Sequence, residues 1–144
     1  MTTSTHTVGA FAVILDDATR VLLCHRTDVD MWNLPGGQVE ADESPWSAVQ
    51  REVEEEVGLR VRVVRLLGVY AVPNRADLVF SFLCARIGGE LCESSEADRV
   101  GWFDCSQLPP NTLTRHAERI ADAVSNWNGL TMKEQVWEGR ASVR

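Results

Sequence analysis

Residues 36–59 read GGQVEADESPWSAVQREVEEEVGL, a glycine pair followed by a helix whose start and stop are written into it. Ser44 is a good N-cap, and Pro45 suits the first helical position because the N–H it lacks would have no partner there. Trp46, Val49, Val53 and Val57 recur at helical spacing, and Gly58 stands where a left-handed C-cap residue belongs. With Glu52 at the origin of a helical wheel, Glu55 falls at about 300° and Glu56 at about 40°. Three carboxylates therefore share one face, and the apolar residues form a separate stripe that can bury against a sheet. Glu54 points away, into solvent.

That acidic face works against helix stability. Glu52 and Glu56 are a like-charged i, i+4 pair, which costs about 0.2–0.5 kcal/mol. They also sit near the helix C-terminus, where the dipole penalises each anion by about 0.3–1 kcal/mol. Arg51 is the one basic neighbour and cannot neutralise three acids. A solvated acidic face is the bland reading. A divalent cation would reverse the sign of the cost, since magnesium prefers hard oxygen ligands from carboxylates together with substrate phosphates.

Outward from this helix, Val8–Leu15 and Arg20–Arg26 read as strands flanking an Asp16-Asp17 turn. Trp32-Asn33-Leu34-Pro35-Gly36-Gly37 reads as a break that ends regular structure. Leu59–Tyr70 and Leu78–Arg86 are strand-like, joined by a loop with Arg75 at its tip, and Ile87–Glu90 looks like a tight reversal. A short strand, Val100–Phe103, precedes Leu108-Pro109-Pro110. Thr112 or Thr114 then caps a second helix running to about Trp127, with Ile120 and Val124 among its apolar positions. Strands, helix, strands, helix predicts an α/β (α+β) fold with a mixed sheet between helices. The chain reads as one domain over residues 1–144, with a core of about 8–127 and a tail of 128–144 in which Trp137 is the candidate anchor.

Composition narrows the function. The chain has 144 residues, 44% of them hydrophobic, and a net charge of −7. No basic run suggests a nucleic-acid polymer as partner, and no apolar run approaches the ~20 residues that span a bilayer. The polar start, Met1–Gly9, lacks the features of a secretory signal, which points to a soluble, cytoplasmic protein. Cys24, Cys84, Cys92 and Cys105 include no CxxC pair, which argues against zinc. Cys24 and Cys84 read as core residues, and a homodimer is the base-rate assembly.

Gly37, Glu43, Arg51, Glu52, Glu55, Glu56 and Gly58, with aliphatic Val53 and Leu59, match the Nudix box at every position, and the segment resembles the Nudix (MutT-like) hydrolase family. At average residue frequencies a chance match is on the order of one in ten million. Trp32–Gly37 resembles the family's lead-in, and Val100–Phe103 with Leu108-Pro109 its late strand and helix entry. The resemblance implies a Nudix fold with a loop–helix–loop motif and cleavage of a phosphoanhydride bond in a nucleotide substrate. It implies magnesium (manganese is the alternative) held by Glu52, Glu55 and Glu56, with the Gly36 carbonyl as a further ligand. Arg51 and Glu43 would brace the motif by ion pairing, and Gly58 would cap it.

The general base is one of the three glutamates or Glu96, with Glu93 and Asp98 as rivals. Arg26, Arg75 and Gly37 are candidates for substrate contact, since arginine suits bidentate recognition of oxyanions. Phe11, Trp32 and Tyr70 are candidates to stack on a base, although strand aromatics usually belong to the core. Pro73, 14 positions beyond Leu59, resembles the downstream proline of ADP-ribose-cleaving members. The leaning is to ADP-ribose or a nucleotide sugar. The alternatives are oxidised nucleoside triphosphates and a non-catalytic nucleotide sensor.

The prediction from sequence is that Glu55→Gln folds normally and loses at least ~100-fold in magnesium-dependent turnover. Glu54→Gln is the control and should be nearly silent. Intact turnover in Glu55→Gln would remove Glu55 from the catalytic set.

Overall fold

The computed structural model describes residues 5–139. The strands are β1 (Thr7–Ile14), β2 (Val21–Arg26), β3 (Trp32–Asn33), β4 (Gly36–Gln38), β5 (Leu59–Val72), β6 (Asp77–Gly89), β7 (Ala97–Phe103) and β8 (Thr131–Glu134). The helices are α1 (Pro45–Val57) and α2 (Thr114–Ser125), and a 3-10 turn, Pro73–Arg75, joins β5 to β6. The expected mixed sheet is present as β4-β1-β6-β5-β8, and β3-β2-β7 form a second sheet. The larger is mixed, with β1–β6 and β5–β8 parallel and β1–β4 and β5–β6 antiparallel.

Alternation along the strands supplies two cores. Ala10, Ala12 and Ile14 of β1 join Leu22 and Cys24 of β2 and Phe82 and Cys84 of β6 in one cluster, packed on Ala48, Val49, Val53 and Val57 of α1. The residues of opposite parity, Val13, Val21 and Leu23, pack instead with Ile120 and Ala123 of α2. The sheets are therefore a layer between two helices. Each fully buried valine of α1 contributes about 1.5–3 kcal/mol through removal from water.

Several local readings need correction. The Pro-Gly-Gly segment does not end regular structure, because Gly36 and Gly37 form β4 against β1. Gly36 has φ 150°, and a Cβ there would lie 2.3 Å from the Ala10 carbonyl oxygen. Ile87–Glu90 is no reversal: β6 runs to Gly89, which pairs with Leu59. Trp46 is 57% exposed, and the buried stripe of α1 begins one turn later, at Ala48 and Val49. Leu113 is the N-cap residue of α2 in place of either threonine, and the Thr112 hydroxyl donates to the Pro109 carbonyl at 2.7 Å. The helix ends at Ser125 and leaves Val124 exposed.

The C-terminal segment docks. β8 adds to β5, the Gln135 N–H donates to the Ala71 carbonyl at 2.8 Å, and Asn74 exchanges two hydrogen bonds with the Trp137 backbone at 2.8 and 3.0 Å. No helix among the described residues is long and apolar enough to cross a membrane.

Gly58 closes α1 at φ 77°, and a Cβ there would lie 2.4 Å from the Glu90 carbonyl oxygen. Gly58→Ala should therefore lose about 1–3 kcal/mol of stability, read by chemical denaturation. An unchanged midpoint would contradict the crowding argument.

Candidate active site

The loop ahead of α1 is tied down by one arginine. Arg51 grips Glu43 with two bonds, Nε to Oε2 at 3.1 Å and Nη2 to Oε1 at 2.7 Å. Its Nη2 also reaches the Gln38 carbonyl at 3.3 Å, while Nη1 donates to Glu52 at 3.2 Å and Glu55 at 3.1 Å. Loop, β4 and helix thus share one guanidinium. The fork-on-fork pairing holds the Glu43 carboxyl below its ordinary range. Ser44 Oγ accepts from the Ser47 N–H at 3.1 Å and sets the helix start.

On the next face, ligand oxygens of Glu52, Glu56 and Glu96 all lie within 4.8 Å of one another, the one such group among the described residues. Glu56 is 8% exposed. It accepts from the Gly36 N–H at 3.4 Å and the Cys24 thiol at 3.6 Å, and its carboxyl hydrogen-bonds with Glu52. Burial, and then the neighbouring Glu52 charge, push its carboxyl up to about 8. Burial also raises Glu52. Among the described residues neither Glu56 nor Glu96 has an ion pair, because the Arg51 fork is spent on Glu43, Glu52 and Glu55. Hard oxygens of three carboxylates, only Glu52 of them facing a cation, fit a divalent ion.

Glu55 lies outside that group, more than half exposed and bonded to Arg51. Gly36 borders the same cavity as the carboxylates. Gly37 makes room for them, since a Cβ on it would lie 2.7 Å from the Glu52 carboxyl. Asp98 is held by His25 Nδ1 at 2.7 Å, and Glu93 lines neither cavity described here. Cys24 is buried, and burial followed by the Glu56 charge raises its thiol.

The carboxylates line a cavity of about 450 Å³ that also takes in Gly36, Gly37 and Arg26. A second cavity of about 400 Å³ shares Phe11, Arg26, Asn33 and Gly37 with it, so the two are halves of one cleft. This half is basic, lined by Arg26, Arg75, Arg115 and Arg119 against a single carboxylate, Asp77. Arg26 is forked onto Asp28 at 2.8 and 2.6 Å. Arg75 faces Asp77 at 3.4 Å and lies over the Trp137 ring at 4.6 Å. Phe11 lines both halves, whereas Tyr70 is 1% exposed and bonded to Asp122, and Trp32 packs edge-on against His25 and Phe103.

Arg115, His116 and Arg119 were not among the sequence candidates. Basic residues at positions 26, 75, 115 and 119 form no run, and only the fold brings them together. The available signal was the like-charged i, i+4 pair Arg115/Arg119, the mirror image of Glu52/Glu56. His116 is buried, its Nδ1 accepts from the Leu34 N–H at 3.0 Å, and burial, then Arg119 and Arg115, keep it neutral. The remaining proton is thereby assigned to Nε2.

Comparison with known proteins bears on the family and the fold. The family model for the NUDIX domain matches residues 5–124. A MutT-like protein of Streptomyces ambofaciens is 37% identical over 119 residues, 83% of this chain and 77% of that protein. A protein of Bacillus subtilis named as a putative 8-oxo-dGTP diphosphatase is 32% identical over 118 residues, 81% of this chain and 79% of its own length. The crystal structure of an ADP-ribose pyrophosphatase from Streptococcus suis superposes with a TM-score of 0.72 at 26% identity, covering 91% of this chain and 100% of that one.

The raised Glu56 carboxyl carries a sign. Its folded-state value lies above the unfolded one, so the folded protein holds the proton more tightly and loses stability as pH rises. Buried, neutral His116 works in the opposite sense below its ordinary value, so the test is a difference. In chelator, the melting temperature of wild type minus that of Glu56→Gln should fall between about pH 4.5 and about 8. A difference that stays flat or rises over this interval would refute the buried, uncompensated carboxylate.

Proposed function

The chain belongs to the NUDIX family of phosphoanhydride hydrolases, and from that premise we propose that it is a magnesium-dependent enzyme acting on a nucleoside diphosphate linked to a second moiety. The observation that carries this reading is one cleft with two ends of opposite charge, acidic at Glu52, Glu56 and Glu96 and basic at Arg26, Arg75, Arg115 and Arg119. A diphosphate with its cation at the acidic end and the rest of the nucleotide toward the basic end matches that division.

Glu52 and Glu56 would hold magnesium, with the Gly36 carbonyl and Glu55 as the further ligands assigned by resemblance. Held there, magnesium would supply charge neutralisation on the phosphates and a more acidic water. Glu96, the exposed member of the group, takes a proton from the attacking water as its oxygen bonds to phosphorus. The bridging oxygen leaves with the electron pair of the broken P–O bond. Arg26 meets the phosphate oxygens, Gly37 leaves the room the phosphates need, and Phe11 offers a ring between the two halves of the cleft. Arg51 and Glu43 keep the helix and loop in register, so the carboxylates are placed before substrate arrives.

The lean toward ADP-ribose or a nucleotide sugar rests on Pro73, and the name of the S. suis structure favours it. Pro73 opens the 3-10 turn that carries Arg75 to the cleft, which gives the resemblance a physical counterpart. The name of the B. subtilis relative favours the alternative, an oxidised nucleoside triphosphate.

The test is a panel of ADP-ribose, nucleotide sugars, dinucleoside polyphosphates and native and oxidised nucleoside triphosphates, with magnesium or chelator. Magnesium-dependent release of a nucleoside monophosphate from the diphosphate compounds is the expected result. Turnover confined to triphosphates would move the assignment to the alternative. Nucleotide binding without any turnover would move it to a sensor.

A further inference from the structure

Arg119 is an unusual residue to bury. It is 2% exposed, and its Nη1 has no hydrogen-bond partner among the described residues. No carboxylate forms an ion pair with it there. Its Nε donates to Gln135 Oε1 at 3.1 Å, and its guanidinium lies near the faces of Phe11 at 5.5 Å and Tyr70 at 5.4 Å. Gln135 in turn donates from Nε2 to the Arg115 carbonyl at 3.0 Å, so the C-terminal segment orients both ends of the Arg115–Arg119 turn. Burial, then the Arg115 charge, lower Arg119 to about 10. A buried cation with an open donor is unfavourable until a partner supplies charge and lone pairs together.

The surroundings narrow the missing partner. Arg26 and Arg75 already have Asp28 and Asp77, and Arg115 feels the charges of Asp77 and Glu138, which leaves the buried Arg119 as the excess positive charge of the basic half. His116 beside them is neutral, with its remaining proton on Nε2. All three side chains can donate there, and none can accept. The keto edge of a base would satisfy the donor but leave the charge uncompensated, whereas an oxyanion does both. Arg115 and Arg119 line only the half of the cleft that lacks the glutamates, so that anion sits apart from the diphosphate being cut.

We infer that Arg119 and Arg115 form a subsite for a second phosphate, and that the chain selects nucleoside diphosphate derivatives phosphorylated elsewhere on the nucleoside as well. The inference deepens the proposed function and rests on it for the placement of the diphosphate. Arg119 and Arg115 would touch the substrate, and Gln135 is a positioning residue acting through Arg119.

The test uses matched ligands differing by one phosphate. In chelator, where no hydrolysis occurs, adenosine 2′,5′-bisphosphate and adenosine 3′,5′-bisphosphate are titrated against 5′-AMP by calorimetry. At least one bisphosphate should bind wild type ~10-fold or more tightly than AMP, the scale of one charge-assisted contact. Arg119→Gln should bring the ratio to within about 3-fold. Arg115→Gln, at a half-buried position, should lower the ratio as well and serves if Arg119→Gln fails to fold. Equal binding of all three ligands by wild type would overturn the subsite, as would an unchanged ratio in Arg115→Gln. With magnesium, coenzyme A is compared with dephospho-coenzyme A, and ADP-ribose with its 2′-phosphate. At least one phosphorylated member should have the lower KM. Turnover without such a preference overturns the subsite while leaving the hydrolase standing. Preference in chelated binding with no turnover on any compound retains the subsite and removes the hydrolase.

Discussion

The structure turns on one electrostatic constraint: α1 must hold Glu56 almost out of water beside Glu52, with no cation of its own. Left alone, that pair would push the helix away from the sheet. Three valines on the neighbouring face, each at 0% exposure, hold it down. Gly58 ends the helix in a left-handed conformation that lets β5 start at once and run back beneath it. Arg51 neutralises the outer acids, Glu43 and Glu55, and shares Glu52, but does not reach Glu56. The inner charge is left for a ligand to balance.

The close approach of β4 follows from the same constraint. Glu56 accepts its one backbone hydrogen bond from Gly36, and Glu52 lies where a side chain on Gly37 would be. Two adjacent glycines are thus required for two separate reasons. One fits a backbone at φ 150° against β1, and the other leaves space for a carboxylate. The strand they form is only three residues long, yet it brings the sheet within hydrogen-bonding distance of the helix face that carries the charge.

Legibility in the sequence followed the range of the interactions. The bounds of α1 and its cap were readable because local spacing determines them. Glu55, grouped with Glu52 and Glu56 on the helical wheel, instead turns to Arg51, and Glu96 from beyond the helix joins the other two. The first turn misled, since whether Trp46 is covered depends on tertiary packing beyond the helix. Pro-Gly-Gly read as a break because glycine loses strand propensity, and nothing local reveals that β1 lies close enough to exclude a side chain. Ile87–Glu90 read as a reversal for the same reason: Gly89, at φ 78°, serves a close approach to Gly58. The basic half of the cleft could not be read at all as a patch. A chain of net charge −7 concealed four arginines that converge only when the end of β2, the β5–β6 turn and α2 are assembled.

The two halves of the cleft also come from different parts of the chain. The carboxylates and Arg51 lie within residues 43–96, inside the region that the family model matches. Gln135 and Trp137 lie beyond it, since the match ends at residue 124. These two residues set the basic half: Gln135 fixes the Nε of Arg119, and Trp137 supports the guanidinium of Arg75. β8 brings them there by extending β5, so a strand of four residues carries the far wall of the cleft. Bond cleavage needs the charge and geometry of the box, which the matched region supplies. Discrimination among nucleotides needs contacts at the other end, and those are oriented by a segment that can vary without disturbing the glutamates. In this chain that segment orients a buried arginine with one donor open, at the end of the cleft away from the glutamates.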